Sequence, residues 1–290
     1  MSDHQVFAVE PWSVTEHSLH LDALGRTESV FALSNGHIGL RGNLDEGDPH
    51  GLPGTYLNSV YALRPLTYVE PGYGYPESGQ TIINVTNGKL LRLLVDDEPF
   101  DVRYGTLTTH RRSLDLRAGT LERDVEWHSP AGDGVRISST RLVSLTQRAV
   151  AAICYEVTPL DDSLRVVVQS EMVANEQLPD LGRDPRTTAV LEHPLEAEAH
   201  TADGTEAVMV HRTRESGLRV AAGMRHEVDG PPNTDLDLWG SPDVCRLTIA
   251  TRLGAGETLR IVKFLAYGWS SQRTRPACRT RWWRPWPRPG

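Results

Sequence analysis

Asn-Gly dipeptides set between short runs of alternating apolar residues restrict this chain more than any other feature. Residues 29–33 (SVFAL) lead into Asn35-Gly36 and then residues 37–41 (HIGLR). Both central positions of such a two-residue turn need φ > 0, which Asn and Gly tolerate, so the pattern reads as a tight antiparallel hairpin. Asn87-Gly88 stands likewise between residues 81–85 and 90–95, and Gly132-Asp133-Gly134 between 121–127 and 135–142. Further strand-like runs lie at 150–157, 164–169, 207–211, 218–222, 245–250 and 258–265. Turn signals recur about every 8 to 14 residues and no long segment carries a 3.6-residue apolar period, which predicts an all-β antiparallel sandwich or barrel. More than about a dozen strands in one domain implies two sheets.

With 39% hydrophobic residues in 290, the chain can build a core, and disorder is excluded. Cys154, Cys245 and Cys278 are too scattered for a disulfide framework or a structural zinc site. The N-terminus, Met1-Ser2-Asp3-His4, lacks the basic start and apolar stretch of a secretory signal. No apolar run approaches the roughly 18 to 20 residues needed to cross a bilayer. The expectation is a cytoplasmic protein with no membrane partner.

The net charge of −8 conceals two regions. Residues 273–290 hold six arginines, four prolines, three tryptophans and no acid, whereas residues 1–272 hold 24 basic and 38 acidic side chains, a net of −14. An acidic body repels phosphate backbones, so nucleic acid is not an expected partner. Arg beside Trp in the tail suits stacking on bases or a membrane surface. It also suits GC-rich DNA read out of frame, and the body, with Lys89 and Lys263 as its only lysines, shares that bias. The expected division is a β-sandwich domain over 1–272 and an aberrant tail over 273–290, the scar of a frameshift or truncation.

Catalytic motifs are absent: no GxSxG, HExxH, P-loop or GxGxxG opening a helix. His17 and His20 read as surface residues, and no metal site is expected. Asp96-Asp97-Glu98 reads as a solvated turn and Asp161-Asp162 as a hairpin turn. Glu122, Asp124 and Glu126 alternate along one strand opposite Val125 and Trp127, the pattern of a solvent-facing sheet surface. Two long loop stretches, 69–80 and 178–188, are rich in turn-formers. In the first, Tyr73, Tyr75 and Glu77 are the candidate substrate-binding residues, because aromatic faces pack on the C–H faces of sugars and a carboxylate bonds hydroxyls. A rigid interdomain or dimer contact is the other reading of that loop.

Residues 27–43 (TESVFALSNGHIGLRGN) resemble the opening signature of glycoside hydrolase family 65, which holds disaccharide phosphorylases acting on maltose, trehalose and kojibiose and the acid trehalases. The resemblance continues through 53–56 (PGTY), 114–123 (LDLRAGTLER), 141–145 (RLVSL) and 263–271 (KFLAYGWSS). It implies a large antiparallel β-super-sandwich of the galactose-mutarotase-like type. In the family this domain precedes a barrel of helical hairpins that carries the catalytic glutamate and, in phosphorylases, the phosphate site. Phosphate there attacks the anomeric carbon with inversion, taking the place of an inverting hydrolase's water. The resemblance therefore carries over no catalytic residue and no cofactor, and inorganic phosphate would be a substrate of the intact enzyme if that is a phosphorylase. The implied function is a non-catalytic N-terminal domain of a phosphorylase or hydrolase of α-glucosidic disaccharides. Its implied partners are the catalytic barrel, a second copy of the chain and a carbohydrate. The alternatives are a stand-alone carbohydrate-binding module and one half of a split enzyme. Within the matched motifs, Phe31, Leu33, Ile38 and Leu40 are expected in the core, Gly39 at a close approach, and Glu28 paired with Arg41 across strands.

Overall fold

The structure, a computed structural model, describes residues 7–65, 72–76, 78–176 and 193–271. The N-terminal quarter contributes β1 (Ala8–Glu10), β2 (Ser13–Glu16), α1 (Leu24–Val30), β3 (Leu33–Ser34), β4 (Ile38–Leu40), β5 (Thr55–Leu57), β6 (Tyr61–Pro65) and β7 (Ser78–Ile82). The next strands are β8 (Leu91–Val95), β9 (Glu98–Pro99), β10 (Thr106–Asp115), β11 (Thr120–His128), β12 (Gly134–Val143), β13 (Val150–Pro159) and β14 (Leu164–Val173). The chain then forms β15 (Leu195–Asp203), β16 (Glu206–Thr213), β17 (Arg219–Asp229), β18 (Asp235–Gly240), β19 (Val244–Leu253) and β20 (Leu259–Ser270).

Ten strands make one sheet, in the order β1-β2-β10-β11-β12-β13-β20-β17-β16-β15, and five make a second, β18-β19-β14-β8-β9. The β3-β4-β5 and β6-β7 strands form two small accessory sheets. Every pairing is antiparallel, as the hairpin grammar predicts. Period-2 alternation selects the faces. In β13, Ala151, Ile153, Tyr155 and Val157 are buried, and in β19 Cys245, Leu247 and Ile249 are buried. These inner faces join in one hydrophobic cluster between the two large sheets. Gly132, at φ +105°, makes the β11–β12 turn that the sequence marks. Asp96 and Asp97, both at positive φ, make the tight β8–β9 turn.

Several local expectations give way to tertiary structure. Ser29 and Val30 are not strand but the last turn of α1, so the Asn35-Gly36 turn joins only the short β3 and β4. Asn87-Gly88 is no hairpin. β7 pairs with β6, β8 pairs with β14 and β9, and Asn87 instead bridges Val173 through N–H···O bonds of 2.7 and 2.9 Å. A Cβ on Gly88 would lie 2.6 Å from Leu265 and 2.7 Å from the Tyr267 hydroxyl, so this glycine serves close approach rather than a turn. Gly39 meets nothing nearer than 3.9 Å; the close approach belongs to Gly42, against Phe31. Asp161-Asp162 carries the chain from β13 in one sheet to β14 in the other. Phe31, Leu33, Ile38 and Leu40 are in the core as expected.

The only two lysines of the chain are both sealed inside it. Lys263 of β20 donates to the carbonyls of Leu90 (3.1 Å) and Glu171 (2.8 Å), tying the ten-stranded sheet to the five-stranded one. Lys89 donates to Gly54 O (3.0 Å), Thr55 Oγ1 (2.7 Å) and Asn87 Oδ1 (3.0 Å). Burial, reinforced for Lys89 by the Arg141 charge, pushes both amines down to about 7.

Two outcomes are expected. Amine-directed reductive methylation of the folded chain leaves Lys89 and Lys263 unmodified in peptide mass analysis, and both become modified in denaturant. Because the folded amines titrate near 7 and unfolded ones near 10.5, the unfolded state binds more protons between those values. Unfolding free energy therefore rises with pH from about 7 toward 10, until the raised pKa values of Tyr155 and Tyr267 reverse the trend above the ordinary phenol range. Urea titrations across pH 6–10 measure this, and Lys263→Met flattens the rise.

Candidate functional site

One end of the inner face of the ten-stranded sheet is ionic rather than apolar. On β11, Leu121, Val125 and Trp127 point into the core and Arg123 shares their phase, while Glu122, Asp124 and Glu126 face outward as expected. Arg112 on β10 and Arg141 on β12 occupy equivalent inward positions, and all three arginines are buried. Residues 41–54 run over these side chains and supply anions. Arg123 Nη1 donates to both carboxylate oxygens of Glu46 at 2.8 Å, and the Tyr155 hydroxyl donates to Glu46 Oε1 at 2.7 Å. Arg141 Nη2 donates to Asp45, whose second oxygen accepts from Ser139 Oγ at 2.6 Å. Arg112 Nε donates to Glu16 Oε2 (2.9 Å), and Arg112 Nη1 to Gly42 O (2.9 Å). His110 Nε2 lies 3.1 Å from the same Glu16 oxygen.

Charge explains the protonation states. Burial alone would raise the Asp45 and Glu16 carboxyls, yet Arg141 and Arg123 hold Asp45 below its usual range, and His110 and Arg112 do the same for Glu16. Beside this network Glu28, buried on α1, accepts from Arg41 Nε at 3.2 Å and from the backbone N–H groups of Gly51 (2.9 Å) and Leu52 (3.2 Å). The expected Glu28–Arg41 pair therefore forms between a helix and the segment after β4, and fastens residues 51–52 as well.

A second cluster imitates catalytic machinery. The Ser170 hydroxyl donates to His226 Nε2 at 2.7 Å, and His226 Nδ1 donates to Thr205 O at 3.0 Å. That is the hydrogen-bond order of a nucleophile, base and orienting group. Both side chains are sealed between the sheets, and burial with the nearby Lys263 charge pushes His226 down to about 3. A base that weak, with no path for substrate, serves packing.

The residues singled out from sequence lie elsewhere. Tyr73 and Tyr75 are exposed on the segment between β6 and β7, with Gly74 at φ +85° turning the chain between them. Glu77, the stretch 178–188 and residues 273–290 lie outside the described residues. His17 is exposed and His20 half-buried; no group of three or more potential metal ligands occurs among the described residues. Sequence reasoning missed Arg112, Arg123, Arg141, Asp45 and Glu46. The available signal was an arginine in phase with core residues, as in Leu121-x-Arg123-x-Val125-x-Trp127.

Removing one carboxylate strands a buried guanidinium, which typically costs about 3–5 kcal/mol. Glu46→Ala is expected to lower unfolding free energy by about that amount in urea titrations. The paired Glu46→Leu/Arg123→Met change is expected to cost less than Glu46→Leu alone.

The family described as glycosyl hydrolase family 65, N-terminal domain, matches residues 14–283, past the compositional break at Arg273. Uncharacterized glycosyl hydrolases of Mycobacterium tuberculosis and Mycobacterium leprae are each 58% identical, over 279 and 277 residues. Each alignment takes in 96% of this chain but only 36% and 35% of those proteins. An alpha,alpha-trehalose phosphorylase of Thermoanaerobacter brockii is 28% identical over 267 residues, 90% of this chain and 34% of that one. The solved structure of a human-microbiome protein assigned as a kojibiose phosphorylase superposes with a TM-score of 0.83 at 19% identity, over 96% of this chain and 35% of its own, and so shares the fold. The chain thus spans about a third of the length of the relatives it matches, and it belongs to the N-terminal domain family of glycosyl hydrolase family 65.

Proposed function

We propose that this chain is the non-catalytic sandwich domain of a cytoplasmic enzyme that phosphorolyses or hydrolyses α-glucosidic disaccharides. The observation that carries the reading is the placement of its polar chemistry. Glu16, Asp45 and Glu46 are locked in buried ion pairs with Arg112, Arg141 and Arg123, and the interior Ser170–His226 pair has no access. Relatives named for trehalose and kojibiose phosphorolysis supply the substrate class. If the intact enzyme is a phosphorylase, inorganic phosphate is its second substrate, bound in the catalytic barrel, and no cofactor is required.

The β6–β7 ribbon supports a docking role. Tyr61, Leu63 and Ile82 are exposed on it, with Tyr61 and Ile82 paired directly across the strands. Such an apolar face suits the catalytic barrel or a second copy of the chain. The purified chain is expected to give no glucose or glucose phosphate from trehalose, maltose or kojibiose, with or without phosphate, and to bind a separately expressed family barrel. Turnover that co-purifies with the chain would overturn the reading. Deleting residues 273–290, proposed here as dispensable to the sandwich, is expected to leave the thermal midpoint unchanged.

The exposed pair Tyr73 and Tyr75 favours a second reading, a carbohydrate-binding module. Saturable heat of binding with a disaccharide, lost in Tyr73→Ala/Tyr75→Ala, would establish it.

A further inference from the structure

The ion network contains donors that the protein does not satisfy. Arg112 Nη2, Arg123 Nε and Nη2, and Arg141 Nε are buried without a hydrogen-bond partner, and so is the acceptor Asn43 Oδ1. The remaining nitrogens of these arginines are engaged: Arg112 with Glu16 and Gly42 O, Arg123 with Glu46, and Arg141 with Asp45 and the carbonyls of Arg41 and Asn43. The same three arginines and Asn43 line one small cavity, together with Asp45, Ser139 and the apolar wall of Leu121. All of these residues are more than nine-tenths buried.

We propose that this cavity is a built site for a single internal water molecule, which accepts from the guanidinium groups and donates to Asn43 Oδ1. Size sets the first limit. The space open to the centre of a water-sized sphere is about 10 Å³, the room of one water. Charge sets the second. Arg112, Arg123 and Arg141 are already matched one for one by Glu16, Asp45 and Glu46, so the ligand is neutral. An added halide would leave an uncompensated buried negative charge. A metal cation would face three guanidinium groups. Hydrogen-bond chemistry sets the third. The unmet groups are mostly donors with one acceptor, and a water that accepts two bonds and donates one fits them with the two to four polar partners an internal water needs. The molecule thereby links β10, β11 and β12 to the segment at Asn43, using bonds that no side chain of the chain supplies.

The test is a high-resolution crystal structure of the unaltered chain grown in sodium bromide. The expected result is one well-ordered peak within hydrogen-bond distance of at least two of the three guanidiniums and of Asn43 Oδ1, with no bromine anomalous signal. A dry cavity overturns the proposal, and an anomalous peak there reassigns the site to an anion. In solution, oxygen-17 relaxation dispersion is expected to count one fewer long-lived water in Asn43→Leu than in the parent. An unchanged count in a folded Asn43→Leu also overturns it. Should that variant not fold, the crystal of the unaltered chain decides alone.

Discussion

Three guanidinium groups on the inner face of one sheet cannot be left without anions, and that requirement dictates the course of residues 41–54. Isolated charges in a protein interior cost several kcal/mol each even after relaxation. Asp45 and Glu46 are therefore not loop residues in the ordinary sense; they are counter-ions that β11 and β12 hold in place through Arg123 and Arg141. Glu28 completes the anchoring from the other side by accepting the backbone N–H groups of Gly51 and Leu52. The small β3–β4–β5 sheet follows from this, since its strands bracket a segment whose two ends are pinned. A hydrophobic substitute would fill the same volume, but it would not specify which part of the chain covers the strands.

A different set of polar contacts fixes how the two large sheets face each other. Lys263 reaches from β20 to carbonyls beside β8 and on β14, the Tyr267 hydroxyl accepts from Gly88 N–H at 3.1 Å, and Ser170 of β14 meets His226 of β17. Apolar packing between sheets is non-directional and tolerates sliding; these bonds do not. Their distances and the absence of a side chain at Gly88 select one register of sheet on sheet. Lysine rather than arginine suits this place, because an amine can approach neutrality when buried whereas a guanidinium stays charged.

Most strands were legible because alternation and turn chemistry act locally. β10 through β13 form a meander whose turns carry their own signals, such as Gly119 at φ +69° beside an Asp115 that accepts from the N–H groups of Arg117 and Ala118. Partner choice was not legible. Asn87-Gly88 has the composition of a hairpin turn, yet β8 finds its neighbours in β14, about seventy residues on, and in β9, because burial of a whole sheet outweighs a local turn preference. α1 was missed for a related reason: residues 24–30 are too few to show a helical period, and Ser29-Val30-Phe31 reads as strand until Thr27 and Glu28 are seen buried on one helical face. The ionic network was half visible. Period-2 phase puts Arg123 inside, but nothing local indicates that its partner is Glu46.

Composition carries two records at once. The change at Arg273 is abrupt, and the family match extends to residue 283. Amino-acid bias records codon supply as well as structure, and the two lysines show which of these governs at a given position. This chain uses arginine at nearly every basic position and keeps its two lysines where the amine is buried, a structural demand overriding a compositional one. The same distinction separates scaffold from function here. Buried arginines, lysines and the Ser170–His226 pair have partners that explain them without any substrate. Tyr61, Leu63, Ile82, Tyr73 and Tyr75 are exposed on or beside one ribbon, and the interior needs none of their exposed faces. A domain whose inner chemistry is committed to holding itself together meets other molecules only through its exposed surface, and this ribbon is one apolar part of that surface.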